Sequence, residues 1–406
     1  MPERRKWRFG QNLSRQQPAK RPIGTIKQDI GAHYYDADLL RQFDEITIWP
    51  KGKTGEPAVI GAKRRFDEIT EPNYPRNCWW VAGTIDEIGS QPIARRLLGE
   101  AIVLYRTGDG RAAALADRCP HRWASLSKGY VEGNELVCGY HGARFGANGK
   151  CHVFPTQDKV PEEAKVRSYP VIEQFPFIWI WMGDPEGIAD APKPYRFDWA
   201  ENADHLVARG STPIDANYFL IHENLLDLTH FNYTHRNSLG VDDTPVAKFS
   251  RDGDRVSFLM RKEDTQLTAV ERAVVGVDHR FNRVINAWFE TPAVHVGHVE
   301  LYDREATGQE RTNYTSWITH LVTPAAPGIT HYWWIFARDY GTDASPEELA
   351  VGLDFIFRED KVMLENIQAN AALDMGKGES TEVSFNGDMG GLLARRVLKK
   401  LLQAEL

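Results

Sequence analysis

The sequence predicts an α+β chain in which a small antiparallel β domain precedes an α+β domain built around a central antiparallel sheet. Three observations carry that expectation. Short β-type runs separated by turn signals fill the stretch from Asn73 to Pro185, and a proline-rich join, Ala191-Pro192-Lys193-Pro194, follows it. Beyond the join, long strand patterns are mixed with two helical ones. A chain of 406 residues with 42% hydrophobic side chains has enough apolar material for two ordinary cores.

Residues 1–72 precede the first domain as a polar, turn-rich extension, with Trp49-Pro50-Lys51-Gly52-Lys53-Thr54-Gly55 reading as a loop. Its first 22 residues hold seven Lys or Arg against one acid but lack the apolar stretch of an export signal, so a solvated or subunit-hugging arm is expected. No apolar run approaches membrane-spanning length. With 49 basic and 56 acidic side chains the net charge is -7, which gives no general attraction to nucleic acid or acidic membranes. Four cysteines are too few to staple a chain with this much core, and a reducing cytoplasm is the expected setting. Cys78 and Cys151 have no histidine at ligand spacing and read as free thiols.

In the first domain, residues 73–185, Ile102–Arg106 and Ala112–Asp117 flank the turn Thr107-Gly108-Asp109-Gly110 and make one hairpin. Ala143–Phe145 and Cys151–Phe154 flank Asn148-Gly149 and make a second, while Phe177–Met182 adds an aromatic strand. Two loops of this domain carry Cys119-Pro120-His121 and, sixteen residues on, Cys138-Gly139-Tyr140-His141. Two thiolates and two imidazoles are the donors of a Rieske [2Fe–2S] centre, in which one iron takes both cysteines and the other both histidines. Structural zinc uses the same atoms but normally keeps its cysteines together and its histidines together, whereas here each loop brings one of each. Gly139 and Gly142 allow close backbone approach, and Pro120 stiffens the first loop. High-potential Rieske proteins hold an additional cysteine in each loop; the neighbours here are Trp123, Ala124 and Tyr140, which implies a lower-potential, oxygenase-like centre.

In the second domain, residues 186–406, strands are expected at Arg255–Arg261, Ala287–Phe289, Thr315–Val322 and His331–Phe336, with a helix over Pro346–Ala372. The run from Asn224 to His235 contains His230 and His235, five apart. In a straight helix such residues point about 140° apart, so both can face one metal only if the helix bulges or ends between them. An oxygen-activating iron(II) takes two His and one carboxylate and keeps its other positions open. Of the acids Asp354, Glu359, Asp360 and Glu365, Asp360 shares a stripe with Ile356, Met363, Leu364 and Ile367, and a carboxylate on an apolar face needs a cation. Hydrolytic zinc would accept the same three ligands, but then the redox domain would have no purpose.

With both motifs in this order, the chain from Asn73 to Ala372 resembles the terminal oxygenase (alpha) component of the Rieske non-haem iron oxygenases. It is most similar to the vanillate O-demethylase and dicamba monooxygenase type, through Asn224-Leu225-Leu226-Asp227, Glu359-Asp360-Lys361 and Met363-Leu364-Glu365. The resemblance implies a helix-grip-like catalytic domain, and it makes Asp227 a bridge between His230 and His141 of a neighbouring subunit. It also implies Asn224 near the iron, a head-to-tail homotrimer, and electrons from a separate reductase with or without a ferredoxin. No nicotinamide fingerprint is evident in the chain, so NAD(P)H would be used indirectly, through that partner. Asn286–His298 is the expected cavity wall, with His295 and His298 as candidate substrate contacts. The function expected is monooxygenation of an aromatic or heterocyclic compound, O- or N-demethylation included. Ring cis-dihydroxylation shares every ligand, and a Rieske electron carrier with a binding domain is the non-enzyme alternative.

Overall fold

The computed structural model describes residues 74–241, 247–307, 311–374 and 382–405, so the extension expected over 1–72 lies outside the described residues. In chain order the first part holds β1 (Trp79–Thr84), β2 (Ile93–Leu97), β3 (Glu100–Arg106), β4 (Ala112–Ala116), β5 (Tyr130–Glu132), β6 (Glu135–Val137), β7 (Arg144–Phe145), β8 (Cys151–Val153), β9 (Ser168–Tyr169), β10 (Val171–Gln174) and β11 (Phe177–Trp181). They form three antiparallel sheets, ordered β1-β11-β10, β2-β3-β4-β9 and β5-β6-β7-β8. Both expected hairpins are present, as β3–β4 and β7–β8.

β1 and β11 are apolar on successive residues instead of alternating, the mark of strands covered on both faces. The second cover is the other half of the chain. It contains β12 (Leu206–Ser211), α1 (Tyr218–Leu225), β13 (Lys248–Asp252), β14 (Arg255–Thr265), α2 (Ala269–Val275), β15 (Phe281–Glu290), β16 (Val294–Asp303), β17 (Asn313–Ala326), β18 (Ile329–Arg338), α3 (Pro346–Asp374) and α4 (Met389–Ala404). Its seven strands make one antiparallel sheet, β12-β18-β17-β16-β15-β14-β13. A single apolar cluster joins Trp80 and Trp179 to Leu321 and Trp333. Hydrogen bonds from Thr323 Oγ1 to the Val81 carbonyl (2.9 Å) and from the Leu98 and Gly99 amides to the Pro324 and Ala325 carbonyls (2.8 and 2.9 Å) fix this contact. The two halves are therefore locked together by core packing, not by a linker.

α3 lies over the sheet and buries Ile356, Phe357, Asp360, Leu364 and Ala371. This corrects the expected stripe: Met363 and Ile367 sit on its exposed edge, and Phe357 takes the inward position. The four described α-helices also exceed the two expected, α4 being the long one that was missed.

Candidate metal centres and cavity

Cys119 and His121 lie on the loop after β4, and Cys138 and His141 on the loop between β6 and β7. Each loop is closed by its own backbone: the Cys119 and Cys138 amides donate to the Ala124 and Ala143 carbonyls at 2.8 Å, and the Trp123 and Gly142 amides return to the Cys119 and Cys138 carbonyls. Asp117 anchors the first loop from below, its carboxylate accepting the Ser127 amide (2.7 Å) and hydroxyl (2.6 Å) in a buried site. Glycine is needed twice in the second loop. A Cβ at Gly139 would meet the Lys128 carbonyl at 2.7 Å, and Gly142 has a φ of +73°.

The two loops pair the donors, His121 with His141 and Cys119 with Cys138. The cysteines are buried and the histidines exposed, with the two Nδ1 atoms facing each other at 3.2 Å. Two ligands of one tetrahedral metal, each about 2.05 Å from it, stand about 3.3 Å apart, so the imidazole pair fits a shared iron. Burial pushes the Cys119 thiol up to about 11, with the Cys138 thiol beside it adding to the rise, although the His121 amide donates to its sulfur. A cation beside the Cys119 thiol would offset that burial, and the set of two thiols and two imidazoles fits an iron–sulfur cluster.

The second centre is built where α1 ends. A five-residue 3-10 turn, Leu228–Asn232, carries His230, and His235 lies in the turns beyond it, which bears out the break expected between the histidines. His230 Nε2 and His235 Nε2 stand 3.4 and 3.0 Å from Asp360 Oδ1 on α3. All three ligand atoms lie within 4.8 Å of one another, the spacing of cis ligands on a single ion. The far ring nitrogens are both engaged: His230 Nδ1 donates to the Asp227 carbonyl, and His235 Nδ1 to Glu359 Oε2 at 2.9 Å. That fixes the orientation of both rings and turns both Nε2 atoms toward Asp360. Asn224 Nδ2 donates to Asp360 Oδ1 at 3.0 Å. Burial pushes the Asp360 carboxyl up, but His230 and His235 outweigh it and hold the acid well below the usual carboxylate range.

Asp227 departs from its expected geometry. It is the backbone carbonyl of Asp227 that reaches His230; its carboxylate caps the 3-10 turn, accepting the Thr229 amide at 2.7 Å. Glu359, which the sequence offers only as a rival to Asp360 for the metal, instead supports His235 from the next position on α3 and also accepts the Ser238 hydroxyl at 2.9 Å. Nothing in the residue pattern singles it out.

The triad opens on a cavity of ≈ 480 Å³ between the sheet, α2 and α3, walled mostly by apolar side chains. His295 lines it, hydrogen-bonded through Nε2 to His222 Nδ1 at 2.6 Å. His298 does not. Residues three apart on a strand point to opposite faces, and His298 stacks on Trp317 at 3.9 Å on the other side of the sheet. His320, paired with His295 across β16 and β17, lines the cavity in its place. Among the described residues no helix is long and apolar enough to cross a membrane.

Residues 78–170 match the Rieske [2Fe-2S] domain, and residues 214–404 match the vanillate O-demethylase oxygenase C-terminal domain. A vanillate O-demethylase oxygenase subunit from Pseudomonas sp. (strain HR199 / DSM 7063) is 34% identical over 348 residues, spanning 82% of this chain and 96% of that protein. The crystal structure of dicamba monooxygenase bound to 3,6 dichlorosalicylic acid superposes with a TM-score of 0.74 at 28% identity, over 82% of this chain and 99% of that one. The form of that enzyme with non-heme iron and dicamba gives 0.68 at 26% identity, over 82% and 98%. A Rieske domain joined to such a catalytic domain defines an oxygenase that carries a [2Fe–2S] cluster and a mononuclear iron. This chain belongs to the Rieske non-haem iron oxygenases, among the oxygenase components of the vanillate O-demethylase type.

Proposed function

We propose that this chain is the terminal oxygenase of a multi-component monooxygenase acting on an aromatic or heterocyclic compound, with removal of an O- or N-methyl group as its main reaction. The balance is R–OCH3 + O2 + 2e⁻ + 2H⁺ → R–OH + HCHO + H2O, with electrons from a separate reductase that consumes NAD(P)H, directly or through a ferredoxin. The observation that carries the reading is a His-His-Asp face opening on a largely apolar cavity. The vanillate and dicamba enzymes named above support the choice of substrate class.

In this reading Cys119, His121, Cys138 and His141 hold the cluster, and His230, His235 and Asp360 hold the iron. When bound, the cluster supplies electrons and the iron oxygen activation. The chain's own residues do the rest. Asn224 and Glu359 set the orientation of Asp360 and His235, the apolar wall excludes water, and His295 and His320 offer polar contacts to a substrate. Residues 73–185 serve as the cluster domain and 186–406 as the iron domain.

The assembly proposed is a head-to-tail homotrimer in which the exposed edge of His141 meets the Asp227 carboxylate of the next copy. It is supported by the exposure of His121 and His141 at a tip flanked by Trp123 (70% exposed) and Tyr140 (64%), apolar surface that a partner would cover. Asp227 Oδ2 makes no hydrogen bond among the described residues. A cytoplasmic setting suits the four free cysteines.

The test is to supply iron-replete protein with a surrogate reductase and screen aromatic methyl ethers, aromatic acids and methylamines. The expected result is substrate-dependent oxygen uptake, one formaldehyde per turnover and one atom of labelled O2 retained in the organic products. Two labelled atoms in a ring diol would instead mark cis-dihydroxylation, and no coupling to any aromatic compound would defeat the reading.

A further inference from the structure

The cavity is long, and its far end carries a charge for which the oxidation site has no use. On β17 the residues lining it are His320, Ile318 and Ser316, and antiparallel register sets Ser316 opposite Arg338 of β18. His320 lies at the metal end, where the charge of Asp360 acts on it. Four residues of strand separate it from Ser316, about 13 Å at the rise of an extended chain. α3 runs the same course, with Asp360 at one end of the cavity and Leu349 at the other, eleven residues or about 16 Å of helix away.

Arg338 lines that far end and is 8% exposed. Its Nε has no hydrogen-bond partner, one terminal nitrogen reaches the Gly341 carbonyl at 3.2 Å, and it makes no ion pair among the described residues. The acids nearby are otherwise committed or distant. Glu271 is held by Arg283 through bonds of 2.8 and 2.5 Å, Glu348 accepts the Ser345 amide at 3.0 Å, and Asp343 acts on Arg338 only from beyond ion-pair range. The guanidinium lies over the Tyr340 ring at 5.5 Å, and the Tyr340 hydroxyl lies beside Ser316. A buried cation left without an anion is costly, and burial does depress the Arg338 pKa.

We propose that Arg338, with the Ser316 and Tyr340 hydroxyls, receives the carboxylate of an elongated substrate whose oxidised carbon lies at the His230, His235 and Asp360 end. Arg338 is then the residue that selects acids over neutral molecules. Cavity length sets a separation of about 10 Å between the acid and the carbon attacked. The inference rests on the oxygenase reading for which end is oxidised, and not for the binding itself.

The experiment measures binding apart from turnover. 4′-Methoxybiphenyl-4-carboxylate and its methyl ester are titrated by calorimetry, without oxygen, into iron-replete wild type, Arg338→Gln and Arg338→Lys. The acid is expected to bind wild type about tenfold or more tightly than the ester. Arg338→Gln should lose that preference with ester affinity unchanged, and Arg338→Lys should keep part of it. Equal binding of acid and ester by wild type, no binding of either, or a preference that survives in Arg338→Gln overturns the proposal. An unchanged cluster spectrum shows that the variant has folded; if Arg338→Gln does not fold, the wild-type preference and its reduction in Arg338→Lys decide. Acid bound through Arg338 without formaldehyde release on adding reductase and oxygen would leave the proposal standing and sink the demethylation reading. Release that is indifferent to the acid group would do the reverse.

Discussion

Glu359 touches no metal ligand atom that faces Asp360, yet it accepts the hydrogen bond of His235 Nδ1 and so sets which nitrogen that ring turns toward Asp360. Groups in this position commonly alter metal affinity 10- to 100-fold. Iron retention during dialysis against a chelator should therefore fall in the order wild type, Glu359→Gln, Glu359→Ala, with about that span and with the cluster spectrum unchanged; equal retention would deny Glu359 its positioning role. Asp360 was legible in the sequence because a charge interrupted an apolar stripe. Glu359 was not, because its side chain points about 100° around the helix, where an acid reads as solvated. His222 makes a different prediction. Burial, and then the Arg395 charge, push its pKa down to about 3, below the 6.5 of an unfolded chain. Between those values the unfolded chain takes up the proton and the folded one does not, so stability declines as pH falls below about 6.5, by about 1.4 kcal/mol per unit for this group. Buried His295 and His320, whose pKa values are also lowered, add to the same trend, so melts of wild type from pH 7.5 to 5 should show stability falling and His222→Phe should make the fall shallower; identical slopes would contradict the assignment.

At the scale of elements, strand alternation decides what a cavity can use. His295 and His298 looked equivalent in the sequence, but their spacing of three sends one to the cavity and the other onto Trp317. Once a coupled substrate is in hand, His298→Gln should leave its KM within about twofold of wild type, and a larger change would return His298 to the site. The strands themselves were legible from their composition, though β15 runs over Phe281–Glu290 where only Ala287–Phe289 was expected, because Arg283 and Asn286 masked its pattern. Arg283 is tolerated inside by its pairing with Glu271. α4 was missed although Leu393, Ala394, Val397 and Leu398 follow helical spacing and are all buried. Leu398→Ala should cost about 2–5 kcal/mol, and a melt within error of wild type would show that α4 is not part of the core.

At the scale of the whole molecule, the order of the two donor sets was legible because each keeps its spacing within a short run of chain. The cavity was not, because His320, Arg338 and Met260 converge only through the register of a seven-stranded sheet. The trimeric arrangement makes a prediction of its own. Co-expressing a cluster-deficient His121→Ala chain with an iron-deficient Asp360→Ala chain should recover part of the activity that each lacks alone, since an intact cluster then faces an intact iron site in a neighbouring copy. No recovery in mixed assemblies would place the electron path within one chain. Beneath all of this is the claim that one chain carries a two-iron cluster and a separate iron at His230, His235 and Asp360. Iron analysis of the reconstituted protein tests it most directly: wild type should hold about three irons and Asp360→Ala about two with the cluster spectrum intact, whereas a variant that keeps the third iron would contradict the account.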